Sequence, residues 1–128
     1  MNPEELRFAR THEWIALDGE TATLGISEFA VRQLTDIVHI ELPQVGDRVS
    51  PGKALGEVES VKAVSDIYAP VHGEVIAVND ALASDLNLLT ESAFGEGWIA
   101  RIRLQDAGEA EQMMTYRQYQ EHCESAGH

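Results

Sequence analysis

The shortness of its alternating apolar and polar runs is the feature that most constrains the fold of this chain. Residues 12–26 alternate on both sides of Asp18-Gly19, a pair that favours a tight turn between two strands. A second alternation covers residues 38–42 and puts Val38 on its apolar face. Because each run is short and has one polar face, the sequence predicts small sheets of half-buried strands. A further strand is predicted from apolar residues at alternate positions: Trp98, Ala100, Ile102 and Leu104.

Two helices are predicted from capping signals. Ser27 is placed to cap a short helix over residues 28–34. Asp106, followed three residues later by Glu109, resembles a capping box, and an apolar stripe continues a C-terminal helix over about residues 107–121. The polar residues that follow are expected to fray.

Composition narrows the class of protein and of partner. A chain of 128 residues with 44% hydrophobic content predicts a single domain over residues 1–128. Its formal charge of −13 repels nucleic acid and anionic membrane surfaces, so we expect neither as a partner. No apolar run reaches the roughly 18 residues of a membrane span, and we recognise no targeting segment. With one cysteine, Cys123, no internal disulfide forms, and we expect a cytoplasmic protein.

Lysine is rare in this chain, which draws attention to each side-chain amine. Of the 9 basic residues all but Lys53 and Lys62 are arginines. Strand-rich segments flank Lys62 over about residues 53–79, and glycines at their far ends predict bends that make Lys62 the tip of a hairpin. A projecting primary amine is what an acyl-transferring enzyme needs in order to build an amide.

The neighbours of Lys62 are expected to shape this tip. Ser60, Ser65 and Asp66 are residues that form turns by bonding their own backbone. Val61 and Val64 do not suit a solvated loop, so we expect them to pack at the base of the tip.

Short catalytic motifs are missing from the sequence. The 5 histidines have no paired metal-ligand spacing, so no metal site is predicted. The sequence has no Gly-x-Ser-x-Gly for a hydrolase and no Gly-x-Gly-x-x-Gly for a nucleotide. By elimination the chain is predicted to be a carrier and not an enzyme.

The segment around Lys62 closely resembles a known family. Residues 56–80, GEVESVKAVSDIYAPVHGEVIAVND, are similar to the lipoylation segment of the H proteins of the glycine cleavage system. Further matches follow in the family's order: Thr-His-Glu-Trp at 11–14, Leu-Gly-Ile-Ser-Glu at 24–28, Glu-Leu-Pro-Gln-Val-Gly at 41–46 and Gly-Glu-Gly-Trp at 95–98. Biotin-carrier domains, by contrast, usually have methionine on both sides of their lysine, where this chain has valine and alanine.

The resemblance implies a fold and a cofactor. The fold is a mainly β barrel-sandwich hybrid of two small sheets, with short peripheral helices and a C-terminal helix. The cofactor is lipoic acid in amide linkage to Lys62. The resemblance further implies that the attaching enzyme reads the residues of the tip, which are Glu59, Val61, Ala63, Ser65 and Asp66.

The resemblance also implies four enzyme partners. A glycine decarboxylase that uses pyridoxal phosphate (P protein) loads the aminomethyl group of glycine onto the arm. A tetrahydrofolate-dependent aminomethyltransferase (T protein) unloads it, and dihydrolipoamide dehydrogenase (L protein) reoxidises the arm. The fourth partner is a lipoate-attaching enzyme. Two alternatives stay open: a lipoyl relay that serves 2-oxo acid dehydrogenases or another redox enzyme, and an interaction module with Lys62 unmodified.

A surface cleft that shelters the loaded arm is implied as well. By position Thr11, Glu13 and Asp66 match residues that line this cleft in the family. Phe29 stands where many members have histidine, and Thr90-Glu-Ser-Ala-Phe-Gly95 departs from the usual Asn-x-x-Pro-Tyr-Gly. Phenylalanine still fills the space but offers the arm no polar partner, which would weaken the shelter. The alternative is that the substitution is neutral at a packed position.

Overall fold

Two antiparallel sheets form the fold in the computed structural model, which describes residues 3–34, 36–106 and 108–125. The strands are β1 (Arg7–Phe8), β2 (Glu13–Asp18), β3 (Thr21–Ile26), β4 (Ile37–Glu41), β5 (Arg48–Val49), β6 (Ala54–Ser60), β7 (Val64–Tyr68), β8 (Gly73–Val78) and β9 (Ala100–Leu104). The helices are α1 (Glu28–Leu34), α2 (Ala81–Ser84), α3 (Asn87–Glu91), α4 (Gly108–Glu111) and α5 (Tyr116–Ser125), with a 3₁₀ turn at Pro3–Glu5.

The larger sheet has the order β1-β2-β3-β9-β8-β5, and the smaller has the order β4-β6-β7. The predicted fold class, mainly β with two sheets and short helices, is confirmed. Among the described residues no helix is long and apolar enough to cross a membrane.

Local sequence signals account for the first part of the fold. The hairpin predicted over residues 12–26 is confirmed: β2 pairs with β3, and Gly19 has the positive φ of 62° that the turn requires. Helix α1 has the predicted bounds, and the Ser27 hydroxyl oxygen accepts a hydrogen bond from the backbone N–H of Ala30 at 3.2 Å.

Two hydrophobic clusters hold the elements together. The larger one is built from both sheets and includes Ile15, Leu24, Val58, Ile67 and Ile102. The second lies under α5 and is largely aromatic: Leu6, Phe8, Trp14, Tyr119 and Cys123. Burial of these apolar side chains is the main favourable contribution to folding.

One inward-facing assignment is wrong. Val38 is 50% exposed, because the register of β4 against β6 shifts between Ile37 and His39. Such a bulge inserts an extra residue and turns its side chain away from the regular alternation. Trp98 precedes β9 and is half-buried: it packs against the second cluster, and the Arg101 guanidinium lies 5.0 Å from its ring centroid.

The single helix predicted over residues 107–121 is also wrong, because the structure has two helices there, α4 and α5. Met114 interrupts them by pairing with Phe8 of β1 through two backbone hydrogen bonds of 2.8 and 3.0 Å. The second helix continues to Ser125, beyond the point where fraying was expected, and residues 126–128 lie outside the described residues.

The predicted capping box does not form. The Asp106 carboxylate accepts a hydrogen bond from the N–H of Gly108 at 2.9 Å, as a cap does. The Glu109 carboxylate instead binds His72, accepting from its backbone N–H at 3.0 Å and lying 2.8 Å from its Nδ1. Glu109 therefore joins α4 to the segment that precedes β8.

Candidate functional site

Lys62 lies in the turn that connects β6 to β7. Glu59 is paired with Val64, and the backbone N–H of Ser60 donates to the carbonyl of Ala63 at 2.8 Å. The N–H of Ala63 donates in return to the hydroxyl oxygen of Ser60 at 3.1 Å. Ser60 therefore closes the turn with both its backbone and its side chain, and only two residues remain at the tip, Val61 and Lys62.

A further contact orients this turn. The backbone N–H of Val61 donates to the carbonyl of Asp36 at 3.2 Å, and Ser60 pairs with Ile37 at the start of β4. Lys62 itself is exposed, and no described carboxylate lies within ion-pair distance of its amine. Its side chain is thus displayed on a turn of fixed geometry.

The expected packing of the two valines is wrong. Val61 is 69% exposed and Val64 is 58% exposed. The reason is that the hairpin extends beyond the core, whose last large apolar residue on β6 is Val58. Ser65 and Asp66 do not form the turn either, because both lie within β7 and are exposed there.

The predicted hairpin over residues 53–79 is divided between the two sheets. Strands β6 and β7 form its arms, whereas β8 pairs with β5 and β9 in the larger sheet. Lys53 precedes β6 and lines a shallow depression with Asp47. Lys62 is therefore the lysine at the free end of a hairpin.

Carboxylates cover the outer face of the smaller sheet. Glu57 lies directly opposite both Glu41 on β4 and Asp66 on β7. Glu59, one row nearer the tip, is exposed as well. Like charges directly opposite each other in a sheet repel, so this row costs stability and gives the surface beside Lys62 a negative potential.

Three of the four predicted cleft residues form one connected group. Glu13 is 1% exposed, and its carboxylate accepts hydrogen bonds from the Thr11 hydroxyl and, at 3.1 Å, from the backbone N–H of Tyr68. The Tyr68 hydroxyl donates to the Asp66 carboxylate at 3.3 Å. The Glu13 contact joins the larger sheet to the smaller one.

The environment of Glu13 favours its neutral form. Burial raises the pKa of Glu13 to about 6, and the hydrogen bonds from Thr11 and Tyr68 offset part of that increase. The group therefore changes charge in a range where an exposed glutamate is already ionised.

Phe29 lies apart from this group. Its ring is 5.0 Å from the ring of His12, centroid to centroid, and it lines a groove between α1 and α5 together with Tyr116 and Tyr119. Thr11, Glu13 and Asp66 do not line that groove. His12, which lies between Thr11 and Glu13 in sequence, is the residue that brings Phe29 close to them.

Two contributors to the site were missed by sequence reasoning. Tyr68 binds Glu13 through its backbone N–H, which has no sequence signature. Tyr119 lies within the predicted C-terminal helix, where an apolar stripe was the only role predicted, yet its hydroxyl lies 2.7 Å from His12 Nδ1 and 2.5 Å from Ser27 Oγ. A tyrosine in an apolar stripe is a usable signal, because a buried hydroxyl needs a partner. Among the described residues no group of three or more His, Cys, Asp or Glu is placed to hold a metal ion.

Comparison with known proteins agrees with this geometry. A family model described as "Glycine cleavage H-protein" matches residues 6–126. The chain belongs to this family. It is 47% identical over 126 residues to the glycine cleavage system H protein of Nitratidesulfovibrio vulgaris, covering 98% of each chain. It is also 47% identical over 121 residues to the mitochondrial glycine cleavage system H protein 2 of Arabidopsis thaliana, covering 94% of this chain and 78% of that one.

The family likeness extends to the fold. A crystal structure of a glycine cleavage system H protein from Mycobacterium marinum matches this structure with a TM-score of 0.87 at 32% sequence identity, covering 95% of this chain and 98% of that one. The predicted resemblance to the H-protein family is therefore confirmed in both sequence and fold.

Proposed function

We propose that the chain is a lipoyl-carrying H protein of the glycine cleavage system, a non-catalytic carrier formed by one domain over residues 1–128. Lipoic acid is attached to Lys62 in an amide linkage. The observation that carries the proposal is the exposed amine of Lys62 on a closed two-residue turn at the end of β6 and β7. An acyl-transferring enzyme reaches such an amine without unfolding its target.

The residues around Lys62 fit this cofactor. The tip residues predicted for recognition are all exposed and therefore accessible to a lipoate-attaching enzyme: Glu59, Val61, Ala63, Ser65 and Asp66. When bound, the lipoyl group supplies disulfide–dithiol chemistry. The chain supplies display of the amine, a defined turn and an acidic surface beside it.

The carrier role follows from tethering. A group on a short flexible arm meets a docked active site at an effective concentration of the order of mM. In this role the protein takes the aminomethyl group of glycine from the decarboxylase (P protein) and delivers it to the aminomethyltransferase (T protein). Dihydrolipoamide dehydrogenase (L protein) completes the cycle. We expect a monomer, since one tip must serve several partners in turn. We also expect a cytoplasmic location.

The cleft is part of the proposal. Thr11, Glu13 and Asp66 are connected through Tyr68, and Phe29 is brought close by His12. We propose that this group shelters the carried aminomethyl group from water, with the buried Glu13 carboxylate as the acceptor for its amine.

The first test is chemical attachment. The protein is incubated with lipoic acid, ATP and a lipoate-attaching enzyme, and its intact mass and peptide map are then measured. We expect one lipoyl increment on Lys62 and none on Lys53, which is the internal control. Lys62→Arg keeps the charge and the fold but accepts no lipoyl group. An unmodified, correctly folded sample would favour the interaction-module alternative.

The second test separates the carrier from the relay. Lipoylated protein is supplied to purified P, T and L proteins with glycine, tetrahydrofolate and NAD, and NADH formation is followed. We expect turnover that depends on Lys62. Failure here, together with transfer of lipoyl groups to a 2-oxo acid dehydrogenase, would identify the relay.

A further inference from the structure

The buried hydroxyl of Tyr119 joins two segments that are distant in sequence. Tyr119 lies in α5 and is 3% exposed, with its ring stacked on Phe8 at 4.6 Å. Its hydroxyl lies 2.7 Å from Nδ1 of His12 and 2.5 Å from Oγ of Ser27. Both contacts are short and partly or fully buried, so they are stronger than hydrogen bonds exposed to water.

The first segment carries Thr11 and Glu13 on either side of His12. His12 has φ = 82°, in the left-handed region that residues other than glycine rarely adopt. Its backbone is fixed on both sides, because its N–H donates to the carbonyl of Ala9 at 3.0 Å and its carbonyl accepts from Ser27 at 2.9 Å. The Tyr119 hydroxyl adds a side-chain contact that holds this conformation.

The second segment carries Phe29. The Ser27 hydroxyl oxygen accepts from the N–H of Ala30 and so caps α1, whose first turn includes Phe29. The Phe29 ring in turn lies against His12 at 5.0 Å. One tyrosine hydroxyl is therefore bonded to the residue between Thr11 and Glu13 and to the cap of the helix that holds Phe29.

The hydrogen-bond directions are mutually consistent. Ser27 Oγ already accepts from Ala30, so its proton is available for the Tyr119 oxygen, and the Tyr119 proton is available for Nδ1 of His12. This arrangement suits a neutral His12 with its proton on Nε2. Each of the two contacts of the Tyr119 hydroxyl then has one donor and one acceptor.

We propose that Tyr119 is a positioning residue for the cleft: its hydroxyl fixes the two segments that carry Thr11, Glu13 and Phe29. The role of the cleft in sheltering the carried group rests on the proposed function, whereas the positioning itself concerns only this chain's own residues. Helix α5 then has two roles: it packs on the aromatic cluster, and through Tyr119 it positions the residues of the cleft.

The test uses the unlipoylated protein and the variant Tyr119→Phe, which removes the hydroxyl and keeps the ring. The readout is hydrogen exchange of the Tyr68 amide, whose N–H donates to the Glu13 carboxylate at 3.1 Å. We expect this exchange to accelerate about twofold to tenfold, the effect of losing one hydrogen bond. Tyr116→Phe is the matched control, because the Tyr116 hydroxyl has no hydrogen-bond partner among the described residues and its ring is retained.

An unchanged Tyr68 amide in Tyr119→Phe would overturn the proposal. Uniform acceleration of all core amides would overturn it too, because that pattern means general destabilisation. If Tyr119→Phe does not fold, Ser27→Ala is measured in the same way, with the same two decisive outcomes.

A second readout connects positioning with function. In lipoylated protein loaded by the P protein, water hydrolyses the bond between the aminomethyl carbon and the lipoyl sulfur, which returns the thiol and releases formaldehyde and ammonia. We expect Tyr119→Phe to accelerate this hydrolysis about twofold to tenfold, with the rate of lipoylation unchanged. An unchanged release rate beside an accelerated Tyr68 amide would keep the positioning role and contradict the proposed shelter. Failure of the wild-type protein to accept lipoate would count against the proposed function alone.

Discussion

At the scale of single residues, Glu13 is where burial and charge conflict most directly. Its side chain is 1% exposed, and burial raises its pKa from 4.5 to about 6. Between these two values the native state binds more protons than the unfolded state, so the free energy of unfolding falls as pH rises. The stability that the protonated Glu13 carboxyl gives to the native state is complete below pH 4.5 and is lost as pH rises through about 6.

Glu13→Gln should remove this pH dependence. The amide keeps the shape and one acceptor for the N–H of Tyr68 but carries no charge to desolvate. We expect the variant to exceed the wild type in free energy of unfolding at pH 8 by up to about 2 kcal/mol, and to match it near pH 4.5. Urea unfolding at several pH values measures this difference.

Glu20→Gln is the matched control, because it makes the same chemical change at an exposed position. A Glu13→Gln profile parallel to that of the wild type would show that Glu13 is already solvated in the native protein.

Ser60 is the residue that decides the geometry of the tip. Ser60→Ala removes the oxygen that accepts from the N–H of Ala63 at 3.1 Å. We expect a loss of about 1 kcal/mol in stability and a lipoylation rate on Lys62 lowered about twofold to fivefold, because the amine is held less firmly. Chemical denaturation and intact mass after timed lipoylation measure the two effects. Ser84→Ala, on α2 and outside the hairpin, also removes a hydrogen bond, from the Ser84 hydroxyl to the carbonyl of Ala81 at 3.2 Å, but should leave the lipoylation rate unchanged.

At the scale of elements, the smaller sheet carries an arrangement that stability alone does not favour. Glu41, Glu57 and Asp66 lie directly opposite one another across β4, β6 and β7. Cross-strand pairs of like charge destabilise a sheet. We propose that the row is part of a surface beside Lys62 that partners recognise.

Glu57→Gln should therefore stabilise the fold, because it removes the central charge of that row. We expect an increase of about 0.2–1 kcal/mol in the free energy of unfolding, larger at low salt. Urea unfolding at two salt concentrations tests this. Glu111→Gln makes the same change of charge on α4 and should have a smaller effect. Equal effects of the two substitutions would mean that only the net charge matters.

At the scale of the whole molecule, the charge of −13 is open to two interpretations: solubility alone, or attraction to cationic surfaces of partners. The carboxylates beside Lys62 favour the second. We expect kcat/KM of the lipoate-attaching enzyme for this protein to fall several-fold when ionic strength rises from about 0.02 to about 0.2 M, with kcat unchanged.

Two double variants localise that effect. Glu57→Gln with Glu59→Gln should weaken the salt dependence, whereas Glu111→Gln with Glu124→Gln should not, although both remove two charges. Rates independent of salt in the wild type would leave solubility as the role of the acidic surface.

Across the whole molecule, some features of the fold have local causes in the sequence and others depend on contacts between distant residues. The β2–β3 hairpin, helix α1 and the turn at Lys62 follow from neighbouring residues: Asp18-Gly19 makes one turn, Ser27 caps the helix, and Ser60 closes the other turn. The two-sheet fold and the family were predicted from the resemblance of motifs spread along the chain. The periodicity of apolar residues alone predicts neither.

Which segments alternate, where they turn and which lysine is displayed can be predicted from the amino-acid sequence, because these features depend on residues a few positions apart. Three other features arise from tertiary contacts: the bulge that exposes Val38, the pairing of Met114 with Phe8 that divides the C-terminal helix, and the hydrogen bond from Tyr68 to Glu13. The last two join residues that are distant in sequence, and the bulge depends on the register of β4 against β6. Such contacts exist only once the sheets and helices have packed, so no local pattern in the chain predicts them.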